Sequence, residues 1–413
     1  MEVAIIKRIL AILLSVLMLT ALVGCKKNEP PLPIGSTPQQ GGLNPTAPIK
    51  SYDFNPLTGA EIPEGYTIGQ RPVAIMINNA RPALPQRGVI AADVVYEMVT
   101  EGGVTRLMAL FNDYRSIPQV GPVRSARDQH LQFALPANAI FVHIGSSIYA
   151  SNLLNEYRYQ DVDGMYLGTE SFWFDAERNK SRSNEHCWYT DTALIAAGTE
   201  KQQIAPTGAY ESLFTFVDKT AAPRIPAMGD APDIKWSYSQ DSEVEFVFDA
   251  ASGLYMKKAY GEPHIDETTG AQLSFTNVFL LSAKVSLKPD GQCAQFDLSS
   301  GNGFYFYGGK YEEITWKKGL PEEPLRVWAK DGSELTVNIG KSYIGVLGDT
   351  NLPTLNMNAS APPPADPNAV APADPNAVAP ADPNAVAPAD PNTVAPADPN
   401  APPPAAPSTV PAA

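Results

Sequence analysis

The chain has 413 residues, with 30 Lys and Arg against 44 Asp and Glu, and a net charge of -14. So acidic a chain lacks the basic face that displaces counterions from a nucleic acid, which excludes a general nucleic-acid binder. Its length allows two or three domains once leader and tail are set aside.

The first predicted element is a leader. Lys7 and Arg8 precede an apolar run from Ile9 to Val23 that closes as Leu22-Val23-Gly24-Cys25. A positive start, a short apolar stretch and small residues at the cut make a signal peptide. The thiol after the cut makes it a lipoprotein signal, with Cys25 carrying the lipid. The alternative, a membrane-spanning helix, needs about 20 apolar residues, more than this run supplies. Residues 1–24 are then removed, and the rest is expected on the outer face of the cytoplasmic membrane, tethered through Cys25. Residues 25–51, rich in Pro, Gly, Gln and Asn, read as a flexible linker.

An N-terminal α/β domain, a mixed sheet with helices, is expected over residues 52–220. Pro72 to Ile77 reads as a buried strand. Asp93 to Thr100 and Val104 to Phe111 flank Glu101-Gly102-Gly103, which suggests a hairpin. After the loop Gly121-Pro122-Val123-Arg124-Ser125, Ser125 is placed as N-cap of a helix from Ala126 to Leu135. Ala139 to Ile144 forms another strand, and Gly145-Ser146-Ser147 leads into helical spacing from Ile148 to Tyr157, giving a strand, turn and helix unit.

Pro223, Pro226, Gly229 and Pro232 crowd a linker over 221–232. A smaller, mostly antiparallel β-rich (α+β) domain is expected over 233–349, with Leu335 to Ile339 and Tyr343 to Leu347 closing its sheet. From 350 to 413 the chain is Ala/Pro/Asp/Asn repeat. Ala-Asp-Pro-Asn recurs every eight residues from Ala365. Without large apolar residues this tail is expected to stay disordered, and at ~3.1 Å per residue in polyproline geometry it reaches on the order of 100 to 150 Å. A wall-crossing spacer and a repeat without a role are both compatible with it.

Chemical motifs are sparse. The sequence contains no H-E-x-x-H, S-x-x-K or G-x-S-x-G, and Gly340-Lys341-Ser342 lacks the first glycine of a phosphate loop. No workable set of zinc ligands can be assembled. Cys187 and Cys293 are expected as buried free thiols rather than a disulfide, and His186-Cys187 lacks the third, orienting group of a thiol nucleophile.

What stands out is a set of arginines: Arg106, Arg124 and Arg127, with Arg178, Lys180 and Arg182 as a second group. Guanidinium forks match phosphate and carboxylate oxygens. Glu97, Glu101, Asp128 and His143 are the nearby acid/base candidates. Two readings stand side by side. In one the arginines hold a phosphate or pyrophosphate; in the other they pair with Glu97 and Glu101 and fix the hairpin against the loop.

Residues 55 to about 347 resemble the YerB-like lipoproteins of mainly Gram-positive bacteria, a two-domain family without assigned activity. The resemblance rests on Asn55-Pro56-Leu57-Thr58-Gly59, Arg71 to Ile77, Ala92 to Glu97, Glu101 to Arg106 and Gly121 to Arg127, with Gly261 to Asp266 and Thr315 to Lys318 in the second domain. The chain departs at His143-Ile144-Gly145-Ser146-Ser147, where the family tends to His-x-Gly-Gly-Ser, and at Cys187, where asparagine is usual. A weaker resemblance links the N-terminal half to the LytR-CpsA-Psr ligases, which act on polyprenyl pyrophosphate-linked wall polymers. It implies that Arg106, Arg124 and Arg127 grip pyrophosphate, with Arg178 and Arg182 as outer support, although the ligase loop carries Asp where Ser125 stands.

Together these expectations describe a lipid-anchored envelope protein with an anion-binding N-terminal domain. The alternative is a non-enzymatic scaffold or regulator that docks wall-synthesis proteins. Wall glycan and wall-synthesis proteins are the implied partners besides the membrane. No cofactor is expected, apart from Mg2+ accompanying a pyrophosphate ligand.

Overall fold

The computed structural model describes residues 49–358. The leader, Cys25, most of the first linker and the repeat tail lie outside the described residues. Among the described residues no helix is long and apolar enough to cross a membrane.

The N-terminal segment contributes β1 (Val73–Asn78), β2 (Val94–Val99), β3 (Thr105–Phe111), α1 (Asp128–Ala134), β4 (Ile140–His143), α2 (Ile148–Glu156), β5 (Asp161–Asp163), α3 (Gly164–Leu167) and α4 (Thr192–Lys201). β2 and β3 form the expected antiparallel hairpin, while β1, β4 and β5 run parallel. Along β1, Ala74 and Met76 enter one core and Val73, Ile75 and Ile77 the other. A strand buried on both faces must be apolar throughout, as Val-Ala-Ile-Met-Ile is.

The C-terminal segment adds β6 (Asp233–Ser237), β7 (Glu243–Asp249), β8 (Leu254–Ala259), β9 (Asn277–Leu287), β10 (Ala294–Asp297), β11 (Ser300–Tyr307), β12 (Lys310–Lys317), β13 (Arg326–Ala329) and β14 (Ser342–Gly348). Mostly antiparallel, it has the β-rich character expected of it. Its strands β6, β7 and β8 form a small sheet of their own, whereas β9 to β14 join the strands of the N-terminal segment. One 12-stranded sheet runs β13-β12-β11-β9-β14-β2-β3-β1-β4-β5 along its main path, so both segments share it.

The junction is β14, and it corrects one expectation. This strand does not close an antiparallel sheet: it pairs parallel with β9 on one side and with β2 on the other. Its sequence, Ser-Tyr-Ile-Gly-Val-Leu-Gly, is buried at every position, which suits a central strand covered on both faces. The segment expected as a linker over 221–232 also takes part, since Gly229–Asp230 pairs with β12. Past the expected boundary at 349, Asn356 exchanges two backbone hydrogen bonds of 2.8 Å with Lys235 on β6.

Helices α1 and α2 cover one face of the shared sheet through Leu131, Phe133, Ala150 and Leu154. The other face is covered by α4, through Ile195, and by the smaller sheet β6-β7-β8, through Trp236, Phe246 and Tyr255. Burying Trp236, which has no exposure, stabilises this layer by a few kcal/mol, at roughly 25 cal/mol per Å2 of apolar surface.

The helix after the Gly-Pro loop begins two residues later than expected, and Ser125 is not its cap. Arg127 occupies the N-cap position without a side-chain cap. The reason is backbone pairing: Arg124 N–H donates to Met76 O at 2.9 Å and Ala126 N–H to Gly145 O at 2.9 Å. Residues 124–126 are therefore held extended between β1 and the turn after β4.

Candidate functional site

Parallel strands end on one side of their sheet, and ligands of open α/β sheets bind beyond those carboxyl ends. An open cleft of about 770 Å3 lies there. Its walls come from residues 123–125, from Ile144 to Ser146 after β4, from Asp163, Met165 and Tyr166 after β5, and from Ser183, Asn184, Glu185 and Trp188.

Two side chains set these walls. His143 Nδ1 donates to the Gly145 carbonyl at 2.9 Å, and Asp163 Oδ1 accepts from Gly145 N–H at 2.7 Å and Met165 N–H at 2.9 Å. Gly145 has φ +72°, which a side chain would strain, and an added Cβ would lie 3.5 Å from Ser125 Oγ. This turn therefore approaches the arginine loop closely.

Among the five candidate arginines, Arg124 alone lines the cleft. Its Nη1 donates to Glu185 Oε2 at 3.0 Å, with side-chain exposures of 25% and 50% respectively. Its Nε is buried and finds no acceptor among the described residues. Arg106 and Arg127 lie close by but are turned inward. Arg127 Nε bonds Glu101 and its Nη1 donates to Ala126 O at 2.7 Å. Arg106 donates to Ser125 O at 2.8 Å and faces Glu101 at 3.7 Å. For these two, the arrangement is the hairpin-to-loop brace. Burial lowers the Arg106 guanidinium to about 9, helped by the neighbouring Arg127 charge.

Arg178 spends its donors on the carbonyls of His186, Ala83 and Pro85 and on Glu267. Arg182 bonds the Pro82 carbonyl. Buried His186, next to Glu185 in the chain, is lowered by burial first, and then by Arg124, Arg182 and Arg178 against the pull of Glu185.

The acid/base candidates do not open onto the cleft. Glu101 is held down at about 2: burial opposes ionisation, but Arg127 and Arg106 outweigh it. Its carboxyl therefore carries no proton to donate at neutral pH. His143 has both ring nitrogens against oxygens, with Nε2 2.8 Å from Asp161 Oδ2. Asp128 pairs with Lys288 at 2.8 Å. Glu97 is sealed between the two segments. It accepts from Asn79 at 3.0 Å, Thr105 at 2.7 Å and Tyr343 at 2.7 Å, and faces Lys257 at 3.3 Å.

Sequence reading missed Lys257. The signal was present in the alternation of β8, where Tyr255, Lys257 and Ala259 share the buried face. Burial lowers the Lys257 ammonium against the pull of Glu97. It also missed Asp163, Met165, Tyr166 and Glu185, which lie on a three-residue strand, a four-residue helix and a single 3-10 turn, elements too short to show a periodicity.

Cys187 and Cys293 are free and buried, as expected. Among the described residues no group of three or more His, Cys, Asp and Glu gathers to hold a metal ion.

Residues 57–205 match the family described as Protein of unknown function (DUF3048) N-terminal domain, and residues 233–344 match its C-terminal domain. The YerB protein of Bacillus subtilis (strain 168), named as a lipoprotein, is 29% identical over 312 residues, covering 73% of this chain and 88% of that protein. The chain belongs to the YerB-like lipoprotein family. The crystal structure of Bacillus subtilis YerB superposes with a TM-score of 0.64 at 27% identity, over 73% of this chain and 98% of that one. Membership in this lipoprotein family places the chain with the membrane-associated proteins of the envelope.

Proposed function

We propose that this YerB-like lipoprotein, anchored through Cys25 on the outer face of the cytoplasmic membrane, is a binding protein that holds an anionic ligand in the Arg124 cleft. The ligand class is a phosphate- or pyrophosphate-bearing wall glycan or its polyprenyl-linked form. The observation that carries this reading is that Arg124 lines an open cleft and, among the described residues, has only a half-exposed carboxylate, Glu185, as a side-chain partner. Arg106 and Arg127 fix the loop that presents it, and Arg178 and Arg182 add positive field from behind.

The chemistry supported is binding and orientation, with no transfer step drawn. Mg2+ belongs to this reading as a companion of a pyrophosphate ligand, held by the ligand rather than by a protein cage. A second reading, a docking surface for wall-synthesis proteins, is favoured by the exposed side chains of Ile148, Met165 and Tyr166.

The test is the melting temperature of the full-length chain in detergent. The additions are pyrophosphate with Mg2+, polyprenyl phosphate and wall-glycan fragments, since a ligand of the folded state stabilises it according to its affinity. A rise with an anionic ligand that disappears in Arg124→Ala supports the reading. A rise that persists in that variant contradicts it.

A further inference from the structure

We infer that the ligand of this cleft is an acidic saccharide, whose anionic group displaces the Glu185 carboxylate from Arg124 while a sugar ring lies along the Met165 and Tyr166 wall. The inference rests on the cleft reading above and adds to it a wall for the sugar ring and a built-in competitor for the anion.

Three observations meet here. First, one arm of the Arg124 guanidinium already holds a carboxylate, Glu185 Oε2 at 3.0 Å from Nη1. That carboxylate comes from the cleft's own wall and keeps half of its side-chain surface in water, so it marks where a ligand anion would sit and can swing away. Exposed ion pairs of this kind contribute little, and a stronger anion replaces them readily. Second, the cleft also has an apolar, uncovered part of its wall: Tyr166 is 83% exposed and Met165 70%. Among the described residues these are large apolar side chains at the rim of a concave site, where burial against a ring face is favourable. Third, the same cleft is lined by short hydroxyl and amide groups, Ser125, Ser146 and Asn184, which suit sugar hydroxyls as donors and acceptors. A lone phosphate would use the first of these features, whereas a charged sugar uses all three.

Carboxylate-bearing and phosphate-bearing sugars share this chemistry, and the probes separate them: glucuronate, glucose 1-phosphate and inorganic phosphate are titrated into the full-length chain in detergent. Glu185→Gln removes the competing charge and keeps the side-chain shape. It is expected to tighten binding of whichever sugar acid binds by roughly two- to fivefold, the range that an exposed ion pair spans. Tyr166→Ala is expected to weaken the sugar acid and to leave inorganic phosphate unchanged. Both side chains are exposed, so neither variant threatens the fold.

If Arg124→Ala abolishes binding while Glu185→Gln leaves it unchanged or weaker, the displacement is wrong and the cleft reading stands. If inorganic phosphate binds as tightly as glucose 1-phosphate and Tyr166→Ala changes neither, the saccharide assignment is wrong. If binding survives Arg124→Ala, the cleft reading itself falls.

Discussion

Glu97 Oε2 and Lys257 Nζ lie 3.3 Å apart in a fully enclosed site, and they come from opposite sides of the segment expected to separate two domains. The ring closes around them. Lys257 Nζ donates to His264 Nδ1 at 3.1 Å, His264 Nε2 bonds Gln86 Oε1, Gln86 Nε2 donates to Asn79 Oδ1 at 3.0 Å, and Asn79 Nδ2 donates back to Glu97. A buried network with every member satisfied is rigid, and one broken member leaves a costly unpaired group.

Removing Lys257 alone strands the Glu97 carboxylate among buried groups. Lys257→Met is therefore expected to destabilise the chain by about 3–5 kcal/mol in urea unfolding. The double variant with Glu97→Gln, which removes both charges, is expected to recover part of that loss. Equal losses in the single and double variants would contradict the pairing.

Because β14 is wedged between β9 and β2, the two family domains share one sheet. Unfolding of the full chain is expected as one cooperative transition. Residues 49–220 made alone would expose the apolar edge of β2 and are expected to aggregate or give an unfolded amide spectrum. A well-dispersed spectrum from that fragment would show that the domains fold separately.

Much of the layout was legible in the sequence. The β1 strand, the β2 and β3 hairpin and helix α2 follow from apolar runs and turn residues, which act locally. The partners of β14 were not legible, because a uniformly apolar strand announces burial on both faces without saying who covers them. Of the site, Arg124 was legible as a charged residue on a turn-rich loop. That Arg106 and Arg127 turn inward towards Glu101 was not, because chain separation and charge alone allow both the brace and the anion site. Tyr166 and Glu185 sit on single helical turns whose placement depends on the sheet beneath them.

Glu101 supplies a pH test. Its folded pKa, about 2, lies below its ordinary 4.5, so the unfolded chain binds the proton more readily. The stabilisation is present above about pH 4.5 and is lost as pH falls towards 2. After discounting for partial exposure it amounts to about 2 kcal/mol. Unfolding free energies between pH 5 and 2 should fall more steeply for the native chain than for Glu101→Gln; parallel curves would contradict the Arg127 and Arg106 pairing.

Burial, with Asp290 and Glu101 nearby, pushes the Cys293 thiol up to about 12, and burial raises Cys187 as well. Since the thiolate is the reactive form, both thiols should resist a thiol-specific reagent in the folded chain and react at least tenfold faster once it is unfolded. Rapid labelling of the native chain at either position would contradict their enclosure.

The most direct test of the cleft is a calorimetric titration of the full-length chain with a pyrophosphate-bearing wall-glycan fragment, comparing the native protein with Arg124→Ala. A charge-assisted hydrogen bond contributes about 1.5–3 kcal/mol, so the variant should bind at least tenfold more weakly while melting at the same temperature. An unchanged dissociation constant in the folded variant would contradict the assignment of Arg124 as the anion-holding residue.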